Sequence, residues 1–538
     1  MTTSTMNQTK PATPATGMAR IGVGLALSAL SAVLLTLAFQ PYTYWPLAFV
    51  AYVPMLVAGQ RLIPRKWSGV AQAIGIGGWL AVFLTSLFGF GEYAWIFLGI
   101  AMLVAAIGIL SQPTVRKFHE KTGYRWFVLQ GAVDTAAIEM IRSFIPPINT
   151  HAFMAQTMYT QPWMLQAISI FNVYGLTLVL MLTNYALALG AILLFDRKWH
   201  RDEQPVADPR AARRSVAAAG ILLAAWIGFG AVTLAASPRD AATVRVAAIQ
   251  HGFLLPGHMD PDTQEARLAE LARQTRGAAA QGATLMVWPE LGLGFDPQVE
   301  HTAELQALAA ETGSYIVIGY GVNDDPRGWR NEAVMLTPSG EFLAVYGKHH
   351  ESSPGEPPII TAGTYPVYNA PFGRVGTIIC NDVMYTDSSR ILARNGAQLI
   401  TVPTMETIAP GFHWEVGIQA VLRAVENRVA TVKADVAFSA MIVDPYGRIL
   451  ARRDGAPDGE AFALVADVPL GTGSTVQTRL GDWVGWLALA GFVAFMVFQN
   501  VTGKRAKKAA SSQLGFRVRS PRRLCADPIA GHPAFGTI

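Results

Sequence analysis

The sequence predicts a multi-pass α-helical membrane domain of about eight transmembrane helices joined to an α/β layered domain. Three observations carry this. Hydrophobic residues make up 51% of the 538 residues and charged residues only 15%, too apolar a balance for an ordinary soluble chain. Long apolar runs fill the first 236 residues and recur once near the end. From Thr243 the pattern changes to short Val- and Ile-rich runs alternating with helical stretches, the mark of a layered α/β domain.

A helix needs about twenty apolar residues to cross the hydrocarbon core. The expected spans are 21–39, 45–60, 69–90, 94–112, 127–144, 168–195, 216–236 and 483–499. The fifth is interrupted by Asp134, Glu139 and Arg142, charges that at such depth should face other helices or a polar cavity. With the N-terminus inside the cell, RLIPRKW, TVRKFHEKTGYR, the RKWHR…RAARR loop and the tail GKRAKK all fall inside, as the positive-inside rule requires. QPYTYW, the stub near Glu92 and 145–167 contain no lysine or arginine and fall outside, together with 237–482. The formal charge of +5 therefore reads as topology and contact with membrane lipids rather than a nucleic-acid footprint. No small-residue cleavage site follows a short apolar core, so the first span is expected to be an uncleaved anchor.

The domains are expected at 1–20 (cytoplasmic), 21–236 (seven membrane helices), 237–482 (catalytic, extracytoplasmic), 483–499 (last membrane helix) and 500–538 (a basic, disordered cytoplasmic tail). In the soluble part the strands expected are VRVAAIQ, TLMVWPE, YIVIGYGV, EAVMLTP, EFLAVYG, VGTIIC, QLITVP and AFSAMIVDPYGRIL. Between them lie TQEARLAELARQTRGAAAQ, helices near 303–312 and 387–396, and WEVGIQAVLRAVENR. TPSGE and DPYGR read as hairpin bends.

Two cysteines, Cys380 and Cys525, fit no disulfide framework and no zinc spacing. No P-loop or HExxH motif occurs, so neither a metal nor a cofactor is expected. Glu290 closes LMVWPE, Lys348 follows FLAVYG and Cys380 closes VGTIIC, and strand ends are where rigid scaffolds present catalytic groups. A carboxylate can take a thiol proton, and an ammonium can stabilise the oxyanion formed when sulfur attacks a carbonyl. Taken singly, Lys348 reads as a solvated loop cation, and Cys380 stays open between core packing and nucleophile. His349 and His350 read as loop or lid residues, and Cys525 as incidental.

VWPE, the lysine of YGKHH with GE eight residues later, and the cysteine ending GTIIC occur in the order and spacing of the nitrilase superfamily. RNEAVMLTPSGE and RAVENR are similar to its supporting motifs. LAFQPYTYWPLAFVAYVPML and IEMIRSF…AQTMYTQPWMLQAISIFNVYGLTLVL resemble the apolipoprotein N-acyltransferase family, so that the resemblance covers roughly residues 20–500. It implies an αββα sandwich with Glu290 as general base, Lys348 as oxyanion stabiliser and Cys380 as nucleophile. Glu356, Asn381 and Asp382 are implied on the substrate side.

The resemblance further implies a phospholipid acyl donor, a diacylated lipoprotein acceptor, and a monomer in the cell's inner membrane with its catalytic domain on the periplasmic side. Four stretches depart from the family pattern. Cys-Asn-Asp replaces Cys-Tyr-Glu, and QHG at Gln250 to Gly252 replaces QGN. ESSPGEPPI is a less apolar lid, and TMETIAPGFHWE stands in place of an Asn-Asp-Trp stretch. They leave open a membrane-anchored amidase, an acyltransferase for another amine, or a non-catalytic scaffold.

Overall fold

The computed structural model describes residues 14–88, 94–145, 148–199, 207–238, 241–253, 261–325, 328–351, 363–406, 412–456 and 459–518. Residues 1–492 form one compact unit and 493–538 a second.

Twelve strands build the α/β part. They are β1 (Thr243–His251), β2 (Leu285–Val287), β3 (Tyr315–Asp325), β4 (Gly328–Leu336), β5 (Tyr346–Gly347) and β6 (Val367–Ala370). The chain continues with β7 (Gly373–Thr377), β8 (Leu399–Pro403), β9 (Ala430–Ala434), β10 (Ser439–Val443), β11 (Ile449–Asp454) and β12 (Ala461–Pro469). They form two six-stranded sheets, in the orders β12-β1-β2-β3-β4-β5 and β11-β10-β9-β8-β7-β6. Each sheet has a parallel centre, β1-β2-β3 in one and β7-β8-β9 in the other.

Side-chain alternation divides the first sheet between two cores. Val246, Ala248, Leu285 and Val287 join Val375, Leu399 and Val432 of the second sheet in one hydrophobic cluster. Ala247, Ile249, Met286 and Trp288 point the other way, onto Leu268 and Leu271 of the helix Pro261–Ala280 and Leu305 and Leu308 of the helix Thr302–Thr312. This is the αββα sandwich expected from the sequence. The DPYGR bend joins β10 to β11 as an antiparallel pair, as read from the sequence. EFLAVYG gives less strand than expected, with Tyr346–Gly347 pairing on β4 and Phe342 meeting Leu336 of β4 in an isolated bridge. β6, β9 and β12 were not anticipated.

In the membrane part, six helices among the described residues are long and apolar enough to span: Gly17–Ala38, Arg65–Ser86, Trp95–Lys121, Ile168–Lys198, Pro209–Ala235 and Trp483–Val501. The expected count of about eight is thereby corrected. Residues 45–60 fail because Pro46 and Pro54 break them into a 3-10 turn (Trp45–Phe49) and a short helix (Val53–Val57), each with proline in its first turn. The stretch 127–144 gives a 16-residue helix, Phe127–Arg142, which reaches about 24 Å and falls short of a roughly 30 Å core.

The helix Ile168–Trp199 is broken at Asn172, whose φ of 51° and ψ of −176° are not helical. Past the break, the Val173 N–H donates to Glu426 Oε1 at 3.0 Å. Glu426 lies on the helix Phe412–Asn427 of the sandwich, so a catalytic-domain carboxylate caps a membrane helix. Nearby, Glu415 on the same sandwich helix accepts from Gln40 Nε2 at 2.6 Å and Gln156 Nε2 at 2.6 Å, with His151 Nδ1 at 3.2 Å. The last helix runs from Trp483 to Val518, beyond the expected end of the span. Lysine, arginine, alanine and glutamine in GKRAKKAASSQ are good helix formers, so the first part of the tail is helical rather than disordered. Residues 519–538 and Cys525 lie outside the described residues.

Candidate active site

Glu290 stands three residues past β2, a strand buried along its whole length. Pro289 stops the strand, and the turn presses against β3 at Gly319, where a Cβ would lie 2.2 Å from the Pro289 carbonyl. Lys348 follows β5, and its N–H donates to the Asn331 carbonyl at 2.8 Å. Both side chains are nearly sealed from solvent, at 2% exposure each. Glu290 Oε1 accepts from Lys348 Nζ at 3.0 Å and from Asn331 Nδ2 at 2.7 Å. Asn331 sits in RNEAVML on β4. It lies between Arg330 and Glu332, and the signal for it was the similarity of RNEAVMLTPSGE to a supporting motif of the superfamily.

Cys380 ends the extended run through Ile378 and Ile379 and opens a 3-10 turn, Cys380–Met384. Its φ is 45°, a left-handed conformation that non-glycine residues adopt at a cost and that clusters at functional sites. The thiol is buried. Burial pushes the Cys380 thiol well up, the Glu290 charge adds to this, and Lys348 and the Met405 backbone N–H oppose it. The resting thiol is therefore neutral, and any attack by it would need a base. Glu290, the strongest charge influence on the sulfur, is held in one orientation by Lys348 and Asn331.

The residues after the cysteine form the wall of the site. Asn381 donates from Nδ2 to the Glu351 carbonyl at 2.5 Å. Asp382 is fully buried. Its Oδ2 accepts from Tyr346 Oη at 2.7 Å and the Ile379 N–H at 3.1 Å. Its Oδ1 accepts from the His349 and His350 N–H groups at 3.2 and 2.9 Å, and lies 2.9 Å from His350 Nδ1. The shortened carboxylate thus ties the cysteine turn to the lysine loop. His349 and His350 are held in turn by stacking on Tyr365 and Tyr385, at 4.2 and 3.7 Å between centroids. Glu356 lies outside the described residues.

Sequence reading also passed over Glu406, which follows β8, and Lys433 on β9. They form a fully buried pair, Nζ to Oε2 at 2.9 Å. A carboxylate just past the apolar run QLITVP was the same kind of signal that singled out Glu290.

A buried Cys, Glu and Lys brought together by strand ends of an αββα sandwich define a carbon–nitrogen hydrolase type of site. The Carbon-nitrogen hydrolase family matches residues 245–477, and the Apolipoprotein N-acyltransferase N-terminal domain matches residues 31–186. An apolipoprotein N-acyltransferase of Geobacter metallireducens is 28% identical over 518 residues, 88% of this chain and 95% of its own length. A nitrilase of Pyrococcus abyssi is 33% identical over 36% of this chain and 74% of that protein. A deaminated glutathione amidase of Synechocystis is 30% identical over 35% of this chain and 81% of that protein. The chain belongs to the apolipoprotein N-acyltransferase family of the nitrilase, or carbon–nitrogen hydrolase, superfamily.

Proposed function

We propose that this membrane acyltransferase moves a fatty acyl chain from a phospholipid, through a thioester on Cys380, to the N-terminal amine of diacylglyceryl-cysteine in lipoproteins. The observation that carries the reading is the Glu290–Lys348 contact beside Cys380, in a chain whose residues 31–186 match the membrane domain of lipoprotein acyltransferases. That second match favours this reading over a membrane-anchored amidase, an acyltransferase for another amine, or a non-catalytic scaffold.

In the first half-reaction Glu290 takes the thiol proton while sulfur attacks the ester carbonyl carbon, with the Lys348 ammonium facing the oxyanion. The C–O bond breaks, and Glu290 returns the proton to the departing lysophospholipid alcohol. In the second, the acceptor amine attacks the thioester carbon, the C–N bond forms, the C–S bond breaks, and Glu290 carries an amine proton to the thiolate. Asp382 and Asn381 position the cysteine turn, and Glu356 belongs to the substrate side. The enzyme works as a monomer in the inner membrane. Five of the six spanning helices precede residue 237, where seven of eight were expected. Both counts are odd, which supports a sandwich on the side away from the N-terminus, the periplasmic side.

Intact-mass measurement after incubation with phospholipid tests the reading. One acyl chain added at Cys380, removed by a diacylglyceryl-cysteine peptide and absent in Cys380→Ala, is the expected result. Acylation that persists in Cys380→Ala, or turnover of simple amides alone, would sink it.

A further inference from the structure

Three parallel strands end side by side at the active-site rim. β7 leads to Cys380, β8 leads through Thr404 to Glu406, and β9 carries Lys433 with Asp435 just beyond. Glu406 is fully buried. Its N–H donates to Asp435 Oδ1 at 3.1 Å, and its Oε2 accepts from Lys433 Nζ at 2.9 Å. The remaining two Lys433 protons go to the Ser439 carbonyl at 2.7 Å and Ser439 Oγ at 2.8 Å. The lysine is thus fully engaged in holding the carboxylate by one oxygen. The other oxygen, Oε1, is buried with no hydrogen-bond partner among the described residues. Leaving such a group unsatisfied costs about 1–3 kcal/mol, more when it is charged, and native structures keep few of them without a reason.

Two further observations put the Glu406 carboxylate in the thioester's neighbourhood. The Glu406 charge acts on both the Cys380 sulfur and the Glu290 carboxylate. The N–H of the preceding residue, Met405, bonds the sulfur itself.

The chemistry leaves a role open. An amine arrives as an ammonium, and forming an amide from it releases two protons. Regenerating the Cys380 thiol absorbs only one, through Glu290. We infer that Glu406 Oε1 binds the acceptor ammonium and takes its first proton, freeing the nitrogen lone pair to attack the Cys380 thioester. The ammonium N–H bond breaks and Glu406 becomes the neutral acid. Nitrogen then bonds the acyl carbon, the second proton passes through Glu290 to the departing thiolate, and Glu406 loses its proton to water. Among the described residues, the charged or titratable groups facing Glu406 are Lys433 on β9, Asp435 just past it, Glu290 after β2 and Cys380 after β7. Burial, Asp435 and Glu290 raise its carboxyl above the usual range, and the Lys433 ammonium bonded to Oε2 opposes them and favours the carboxylate that can accept a proton.

This inference rests on the thioester-acyltransferase reading, and the two half-reactions separate them. With the full-length protein in detergent, a phospholipid donor and a synthetic diacylglyceryl-cysteine peptide, Glu406→Gln is expected to form the acyl-enzyme no more slowly than wild type. Its discharge to the peptide at pH 7 is expected to fall about 100-fold and to recover as pH rises toward that at which solvent deprotonates the amine. Glu406→Asp keeps a titratable group set back by one methylene, and its discharge should lie between the two; it carries the test if Glu406→Gln does not fold. Equal loss of both half-reactions, unchanged discharge, or slow discharge without recovery at high pH would overturn the inference and assign Glu406 to packing. A wild-type protein that forms no thioester would overturn the reading beneath it as well.

Discussion

Lys348 Nζ lies 3.0 Å from Glu290 Oε1, and the same oxygen receives Asn331 Nδ2 at 2.7 Å. One carboxylate oxygen therefore carries both contacts, so losing Asn331 should act through Glu290, and losing Lys348 should remove an oxyanion donor as well. Glu290→Gln is expected to abolish acyl-enzyme formation. Lys348→Met is expected to slow it about 10²–10³-fold, the usual effect of removing one oxyanion donor. Asn331→Ala, which disturbs only orientation, is expected to slow it about tenfold, as loss of one hydrogen bond to a charged group predicts. Single-turnover acylation followed by mass spectrometry checks all three.

Asp382 joins the turn that carries Cys380 to the loop that carries Lys348. Asp382→Asn puts an amide donor among N–H and O–H donors. It should lower stability by about 1–3 kcal/mol and slow acylation, while peptide discharge from any acyl-enzyme that forms slows in parallel. Thermal unfolding and the two half-reaction rates measure this.

Glu415 gathers Gln40, Gln156 and His151 from the membrane domain onto a helix of the sandwich. Glu415→Ala removes one acceptor from each of those groups, and losing hydrogen bonds to a buried charged group costs about 1.5–3 kcal/mol each. A fall in unfolding temperature larger than that of an exposed control, Glu304→Ala (58% exposed side chain), is the expected outcome.

His251 is buried at the end of β1, and its Nδ1 accepts the Phe253 N–H at 3.0 Å. Burial, aided by Arg267, pushes its imidazole from the ordinary 6.5 down to about 3. Below pH 6.5 the unfolded chain binds this proton and the folded one does not, so the contribution is present above that pH and lost as pH falls toward 3. His251→Asn keeps an acceptor without the titration. The wild-type unfolding temperature should drop more between pH 7.5 and 5 than that of the variant.

Much of this was legible because the candidate catalytic groups stand where apolar runs stop. VWPE, YGKHH and VGTIIC each announce a buried strand followed by a polar side chain, and the structure brings those three ends together. β9 was hidden by its own function: Lys433 and Asp435 look like loop residues until Glu406 and Ser439 are seen to pair with them. β12 was missed because it lies on the sheet edge with only part of its length buried, and its partner β1 begins more than 200 residues earlier. The membrane count was overestimated where hydropathy alone was read. Pro46 and Pro54 divide an apolar stretch without making it any less apolar.

The break at Asn172 sets the order in which the protein can be made. The Val173 N–H freed by that break waits for Glu426, 253 residues further along the chain. A membrane helix that enters the bilayer early in synthesis therefore stays incompletely bonded until the sandwich has folded over it. Maturation of the membrane half runs backward from the domain translated after it.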